Sequence, residues 1–184
     1  CASQVEKNRF ENLGHISKIV DNKLKTKPNS YISEDWVHEQ TFNFPSIDYL
    51  STQRTRAMLQ IQQGCNHRCT FCIIPYGRGD AVSLTFTEIS KRVKKILSSG
   101  ITEIVLTGVD LTSYGEDLKG KPKLGSILKK LFKLFPNLPR LRLSSIDPAE
   151  IDRDLLDLFK YERRLMPYLH LSVSYTHLRA HETS

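Results

Sequence analysis

The chain has 184 residues, 39% of them hydrophobic, enough for one good-sized core or for one domain and part of another. Its formal charge of +7 suits a polyanionic partner, although many basic proteins bind none. No apolar run approaches the ~20 residues of a membrane span and no charged-then-apolar leader opens the chain, so no membrane association is expected and the cytoplasm is the default compartment. The first residue is Cys1 rather than methionine, and the chain is read as a fragment.

Residues 1–56 read as the remnant of a separate α/β unit plus a linker. Phe10 and Leu13 suit a helix ending at Gly14, and Ile16-Ser17-Lys18-Ile19-Val20 alternates as a short strand would. From Asn22 to Thr55 the pattern is irregular and punctuated by Pro28, Asn29, Ser30 and Pro45. Trp36, Phe42, Phe44 and Tyr49 are expected to pack this segment onto the next domain.

Alternating strand and helix begin at about residue 57. Ala57-Met58-Leu59-Gln60-Ile61 is a predicted strand, and the loop after it holds three of the four cysteines, Cys65, Cys69 and Cys72. The spacing Cys-x3-Cys-x2-Cys lets three thiolates converge on one centre, and soft thiolates suit iron–sulfur clusters, zinc or copper(I). Four irons held by three cysteines would leave one iron open to chemistry. A structural zinc site using His67 as fourth ligand is the competing reading, but zinc sites usually pair two knuckles and no second one exists here. A disulfide is disfavoured in a chain without a leader, where thiols stay reduced.

Thr85-Phe86-Thr87-Glu88 is a capping box opening a helix with Ile89, Val93, Ile96 and Leu97 on one face, stopped by Gly100. Ile104-Val105-Leu106-Thr107 reads as a buried parallel strand. Leu124, Ile127, Leu128, Leu131 and Phe135 form a second helical stripe, and Leu141 and Leu143 alternate in a third strand. Asp147, Pro148 and Glu150 look like the N-cap, first residue and box of a third helix bearing Ile151, Leu155, Leu158 and Phe159. A fourth strand is expected over 168–173. Between Leu118 and Ile146 eight basic residues and no acidic one accumulate, either a phosphate-neutralising surface or a solvated helix face. Repeated strand–helix units with functional residues after the strands imply a barrel or a doubly wound parallel sheet.

The cysteine spacing with aromatic Phe71 before the last cysteine resembles the signature loop of the radical S-adenosylmethionine (SAM) enzymes. The longer string Gln63-Gly64-Cys65 through Ile73-Ile74-Pro75-Tyr76-Gly77-Arg78-Gly79 resembles one branch of them, the methylthiotransferases. The resemblance implies a partial (β/α) TIM-type barrel of six strands, with four present over 57–173. It also implies a four-iron four-sulfur (4Fe–4S) cluster on Cys65, Cys69 and Cys72, with SAM bound at the open iron.

In such a mechanism an external electron donor reduces the cluster and SAM splits to a 5′-deoxyadenosyl radical that takes hydrogen from an adenine carbon of transfer RNA. Sulfur from a second cluster fills that position and a second SAM supplies the methyl group. Cys1-Ala2-Ser3-Gln4 resembles the last cysteine motif of the amino-terminal domain of these enzymes, which makes Cys1 one of three ligands to that second cluster. The oligomeric state is not legible.

By the same carry-over Phe71 and Gly108 border SAM, and Ser144, Ser145 and His170 at the strand ends face the same pocket, where a helix-cap serine pair and a buried, hydrogen-bonded histidine would serve equally well. Gly108-Val109-Asp110-Leu111-Thr112-Ser113-Tyr114-Gly115 resembles the branch acting on threonylcarbamoyladenosine. A carboxylate and hydroxyl on that nucleoside call for cationic and hydrogen-bonding partners, for which Arg78, Asp110, Ser113 and Tyr114 are candidates; Asp110 and Ser113 serve equally well as loop caps. Residues 174–184 depart from the family pattern, resemble translated adapter sequence and are read as a non-native tail, His177 and His181 included. The alternatives are the isopentenyladenosine branch, a ribosomal-protein methylthiotransferase and a non-catalytic zinc module that binds RNA.

Overall fold

Short parallel strands in sequence order carry the frame in a computed structural model that describes residues 2–25, 27–32, 44–46, 55–70 and 72–171. Two short helices come first, α1 (Ala2–Val5) and α2 (Lys7–Glu11). Strand β1 (Arg56–Gln60) then runs into β2 (Gln62–Gln63) and the cysteine loop. Helix α3 (Ile74–Arg78) leaves that loop, and β3 (Val82–Ser83) returns antiparallel to β2. Next come α4 (Phe86–Ser98), β4 (Glu103–Thr107), α5 (Leu124–Leu134), β5 (Arg140–Leu143), β6 (Ser145–Ile146), α6 (Arg153–Tyr161) and β7 (His170–Leu171).

Strands β1, β4 and β5 form one parallel sheet with Arg56 opposite Glu103 and Glu103 opposite Arg140. Past Ser144 the ladder resumes with β6 pairing in parallel with β7. Side chains alternate across a strand: Ala57, Leu59, Ile104, Leu106, Leu141 and Leu143 point to the face that α4, α5 and α6 cover, and all are buried. On the opposite, concave face Met58 is 57% exposed. This arrangement is a partial α/β barrel, as expected.

Helix α4 starts where Thr85 Oγ1 accepts from Glu88 N at 3.4 Å, and Gly100 ends it at φ +79°. Helix α6 begins later than the sequence suggests. Asp147 caps only a 3₁₀ turn, Pro148–Glu150, and Ile151 is extended. The α-helical cap is Asp152, whose Oδ1 accepts from Leu155 N and whose Oδ2 accepts from Gly125 N in α5, both at 2.9 Å. One carboxylate thus closes the first turns of two neighbouring helices. Residues 16–20 form no strand, because alternation alone supplies no ladder. Phe44 does pack against the core; Trp36, Phe42, Tyr49 and the tail lie outside the described residues. The lysine-rich stretch is partly compensated, since Lys129 lies 2.7 Å from Asp154 and 3.7 Å from Asp157.

At the amino end of the strands Glu103, 7% exposed, meets Arg56 at 2.7 Å, Arg142 at 3.1 Å and Arg140 at 3.5 Å. Burial alone would raise its carboxyl pKa, but the Arg142 hydrogen bond and the charges of Arg56 and Arg140 hold it below the usual value. The folded-state pKa is the lower one, so this stabilisation is present above the ordinary glutamate pKa and is lost as pH falls through the folded value. Glu103→Gln should therefore destabilise the chain by about 2 kcal/mol at neutral pH. The variant's urea midpoint should then fall less than that of the wild type on acidification to pH 4, and equal acid sensitivity would contradict the assignment.

Candidate metal and cofactor site

The cysteine loop sits at the carboxyl end of β1 because the chain turns there on Gly64, which has φ +72°. A Cβ at Gly64 would lie 2.1 Å from Asp80 O and 2.6 Å from Gly79 O, so the loop's two ends close only around glycine. Cys65 N donates to Gly79 O at 3.2 Å and Cys72 N to Cys69 O at 3.0 Å. None of the three is in a disulfide and all are half-buried.

The loop is anchored by side chains between its first two cysteines. Asn66 Oδ1 accepts from Ala81 N at 2.9 Å and its Nδ2 donates to Glu116 at 3.1 Å. Arg68 donates to Asp80 at 2.6 Å and to Cys65 O at 3.0 Å. His67 Nε2 lies 3.0 Å from Glu150 Oε1 and 3.4 Å from Asp110 Oδ2. The histidine is thus engaged by two carboxylates rather than left as a fourth ligand beside the cysteines. Burial pushes the Glu150 carboxyl pKa up, reinforced by the Asp110 charge and opposed by His67.

Burial also pushes the Cys65 thiol up; the His67 backbone amide opposes this, while Asp110, Cys72 and Cys69 add to it. The Cys65 thiol therefore resists ionisation in the absence of a cation. A bound metal centre reverses that balance, since ligation draws off the protons. Three partly accessible cysteines outside any disulfide, on one pinned loop, fit an iron–sulfur cluster.

Gln62, which sequence reasoning passed over, ties this loop to the next one. Fully buried, its Oε1 accepts from Val109 N at 2.8 Å and Asp110 N at 2.9 Å, while its Nε2 donates to Gly64 O at 2.9 Å. A Cβ on Gly108 would meet Leu111 at 2.8 Å and Gln62 Oε1 at 2.9 Å, so Gly108 is small to admit the glutamine. A polar residue inside an apolar strand end was the available signal.

The post-β4 loop divides otherwise than expected. Asp110 is 9% exposed, with Oδ1 accepting from Thr112 at 2.7 Å and Oδ2 facing His67. Ser113 caps the loop by donating to Asp110 O at 3.0 Å. Tyr114 is fully buried and donates to Leu84 O at 2.6 Å. Burial, with Asp117 adding to it, raises its phenol pKa. Both side chains are buried and both hydroxyls are spent on backbone carbonyls, which favours a structural role for the pair. Tyr114→Phe should leave the Leu84 carbonyl unpaired and destabilise the chain by about 1 to 2 kcal/mol. Unchanged urea unfolding would return the hydroxyl to a surface role.

Ser145 Oγ and His170 Nδ1 are 3.2 Å apart across β6 and β7, and Ser144 Oγ is buried with no hydrogen-bond partner among the described residues. The structure thus brings Ser145 and His170 together on the strand ends. Arg78, at the end of α3, reaches Gln63 Oε1 at 3.4 Å. Phe71 and Cys1 lie outside the described residues. Two grooves of about 550 Å³ each run beside α4 and past Leu134 and Phe135, and neither includes a residue of the cysteine loop.

A model of the Radical SAM superfamily matches residues 59–179. Threonylcarbamoyladenosine tRNA methylthiotransferase MtaB of Rickettsia prowazekii is 39% identical over 94% of this chain and 42% of its own. The tRNA-2-methylthio-N(6)-dimethylallyladenosine synthase of Ehrlichia canis is 32% identical over the same shares. This chain thus spans about two fifths of the length of these curated relatives. Among solved structures, the radical S-adenosylmethionine methyltransferase TsrM of Kitasatospora setae aligns at TM-score 0.44 and 17% identity, over 56% of this chain and 20% of that one.

Proposed function

The chain belongs to the radical SAM superfamily, and from that premise we propose that it is part of a tRNA methylthiotransferase whose substrate is threonylcarbamoyladenosine. The observation that carries the reading is the pinned loop that presents Cys65, Cys69 and Cys72, unbridged by disulfides and half-buried, at the carboxyl end of the first parallel strand. The similarity to methylthiotransferases over 94% of the chain supports it.

In this reading the three cysteines hold a 4Fe–4S cluster, which when reduced by an external donor supplies the electron that splits SAM. The protein's own residues bind and orient. Gln62 holds the backbone at 108–110 beside the cysteine loop, Phe71 and Gly108 border the cofactor, and Ser144, Ser145 and His170 line the strand ends around it. Asp110 and Glu150 orient His67 and with it the loop. Arg78 is the cation that meets the substrate.

Cys1 is a ligand of a second, sulfur-donating cluster, in a segment over 1–56 that belongs to the amino-terminal domain. Residues 57–173 form the truncated barrel and 174–184 a non-native tail. Helix α1 packs against α3, the helix that leaves the cysteine loop.

The test is nucleoside mass spectrometry on tRNA from a host that lacks its own tRNA methylthiotransferases and expresses the full-length protein. The methylthio adduct of threonylcarbamoyladenosine is expected. Exclusive formation of the isopentenyladenosine adduct would move the protein to the other branch.

A further inference from the structure

The turn over residues 21–25 is pinned to the carboxyl end of α3. Asp21, 2% exposed, accepts from Gln4 Nε2 at 2.9 Å and from Lys23 N at 2.7 Å. Gln4 Oε1 in turn accepts from Asn22 N at 3.2 Å, and Asn22 Nδ2 donates to Gly77 O. That last bond ties the turn to the residue before Arg78, and Lys25, three residues after Asn22, lies near enough to feel the Arg78 charge.

Two cations are thus held together with little to offset them. Neither has an acidic partner among the described residues. Arg78 Nη1 reaches only Gln63 Oε1, at 3.4 Å, and that oxygen already accepts from Gln60 Nε2 at 2.8 Å. Arg78 Nε is buried and has no hydrogen-bond partner among the described residues. Burial, and then the Arg78 charge, lowers the Lys25 pKa. A buried guanidinium donor without an acceptor is an unfavourable arrangement that a bound anion would relieve, and a guanidinium fork suits carboxylate and phosphate geometry.

We infer that Lys25 and Arg78 together bind one oxyanion of the RNA substrate, across the seam between the amino-terminal segment and the helix that leaves the cysteine loop. The identity of the substrate rests on the function proposed above; the anion site itself rests on the seam. Its position, against Gln63 and so two residues before Cys65, suits a carboxylate on the reacting nucleoside, and a backbone phosphate beside that nucleoside offers the same chemistry. The site gives Lys25, which no motif singles out, the task of admitting a nucleoside that carries an anion.

The test is proton–nitrogen NMR of the reduced ¹⁵N-labelled chain without metal, following the Arg78 Nε–H resonance, which is identified by its absence in Arg78→Lys. The chain is titrated at constant ionic strength with threonylcarbamoyladenosine, adenosine and inorganic phosphate. Threonylcarbamoyladenosine should give a saturable shift at about tenfold lower concentration than adenosine. Lys25→Met should raise its half-saturation about tenfold while the backbone spectrum stays in place.

Saturation by phosphate at or below the concentration needed for the nucleoside would support the site and assign it to the RNA backbone. No saturable shift with either anion, or no effect of Lys25→Met, would overturn it. Iron loading of the cysteines is measured separately. A chain that assembles its cluster yet shows no Arg78 shift loses only the anion site, whereas a shift without iron loading would undermine the proposed function alone.

Discussion

Cys65→Ala, Cys69→Ala and Cys72→Ala will each abolish cluster assembly, taking bound iron from about four per chain to near zero after anaerobic reconstitution. Thiolate is the ligand of this chemistry, and the described loop offers no spare sulfur within reach. His67, the nearest alternative donor, is held at 3.0 Å from Glu150. The metal-free chain should hardly notice these substitutions, because each side chain is only half-buried. Its urea midpoint should move by less than the equivalent of about 1 kcal/mol. Cys1→Ala should leave the barrel cluster's iron unchanged. Iron content and unfolding measured on the same preparations check both halves, and a triple variant retaining wild-type iron would show that the loop does not ligate it.

Gly64→Ala will have the opposite signature, damaging the scaffold and the iron site together although all three thiols remain. Alanine at φ +72° is strained by about 1 to 2 kcal/mol. Its methyl group would also press on the carbonyls of Gly79 and Asp80, at 2.6 and 2.1 Å. Relief requires moving the backbone that accepts the Cys65 amide bond. A total loss of about 3 kcal/mol is expected from backbone strain and overpacking combined, seen as a lower urea midpoint of the metal-free chain. Iron loading should fall at least severalfold. Normal stability with normal iron would mean that the loop closes otherwise than it does around glycine.

Much of the frame was legible because it rests on local periodicity. Leu59, Leu106 and Leu143 alternate where strands form, and Ile89, Val93 and Ile96 repeat where α4 lies. The failures share a cause: they turn on partners distant in sequence. Asp147 and Asp152 are equally good caps by type, and only Gly125, 27 residues away from Asp152, decides for the second. Glu150 would close a capping box if His67 were not there to take its carboxylate. Gln62 reads as one polar residue in a strand until the amides of Val109 and Asp110 are seen to converge on it. Tyr114 looks like a polar contact in a substrate loop, yet its ring fills the core and its hydroxyl caps the Leu84 carbonyl.

Of the proposed site, spacing alone singles out the cysteines and the string after them singles out Arg78. Lys25 carried no such mark, since its neighbour across the seam is 53 residues on and reaches it only through Asn22 and Gly77. The same holds for the loop's anchors. Asn66, His67 and Arg68 are three polar residues between two cysteines, and only their partners Ala81, Glu116, Glu150, Asp110 and Asp80 show that they pin the loop.

The central claim, that Cys65, Cys69 and Cys72 hold a four-iron cluster with one iron free of protein ligand, is tested most directly by Mössbauer spectroscopy of the ⁵⁷Fe-reconstituted chain before and after addition of SAM. Three cysteines for four irons predict that one iron in four changes its isomer shift and quadrupole splitting when SAM binds, while three stay as they were. A spectrum indifferent to SAM, or a colourless chain with stoichiometric zinc in place of iron, would contradict the account.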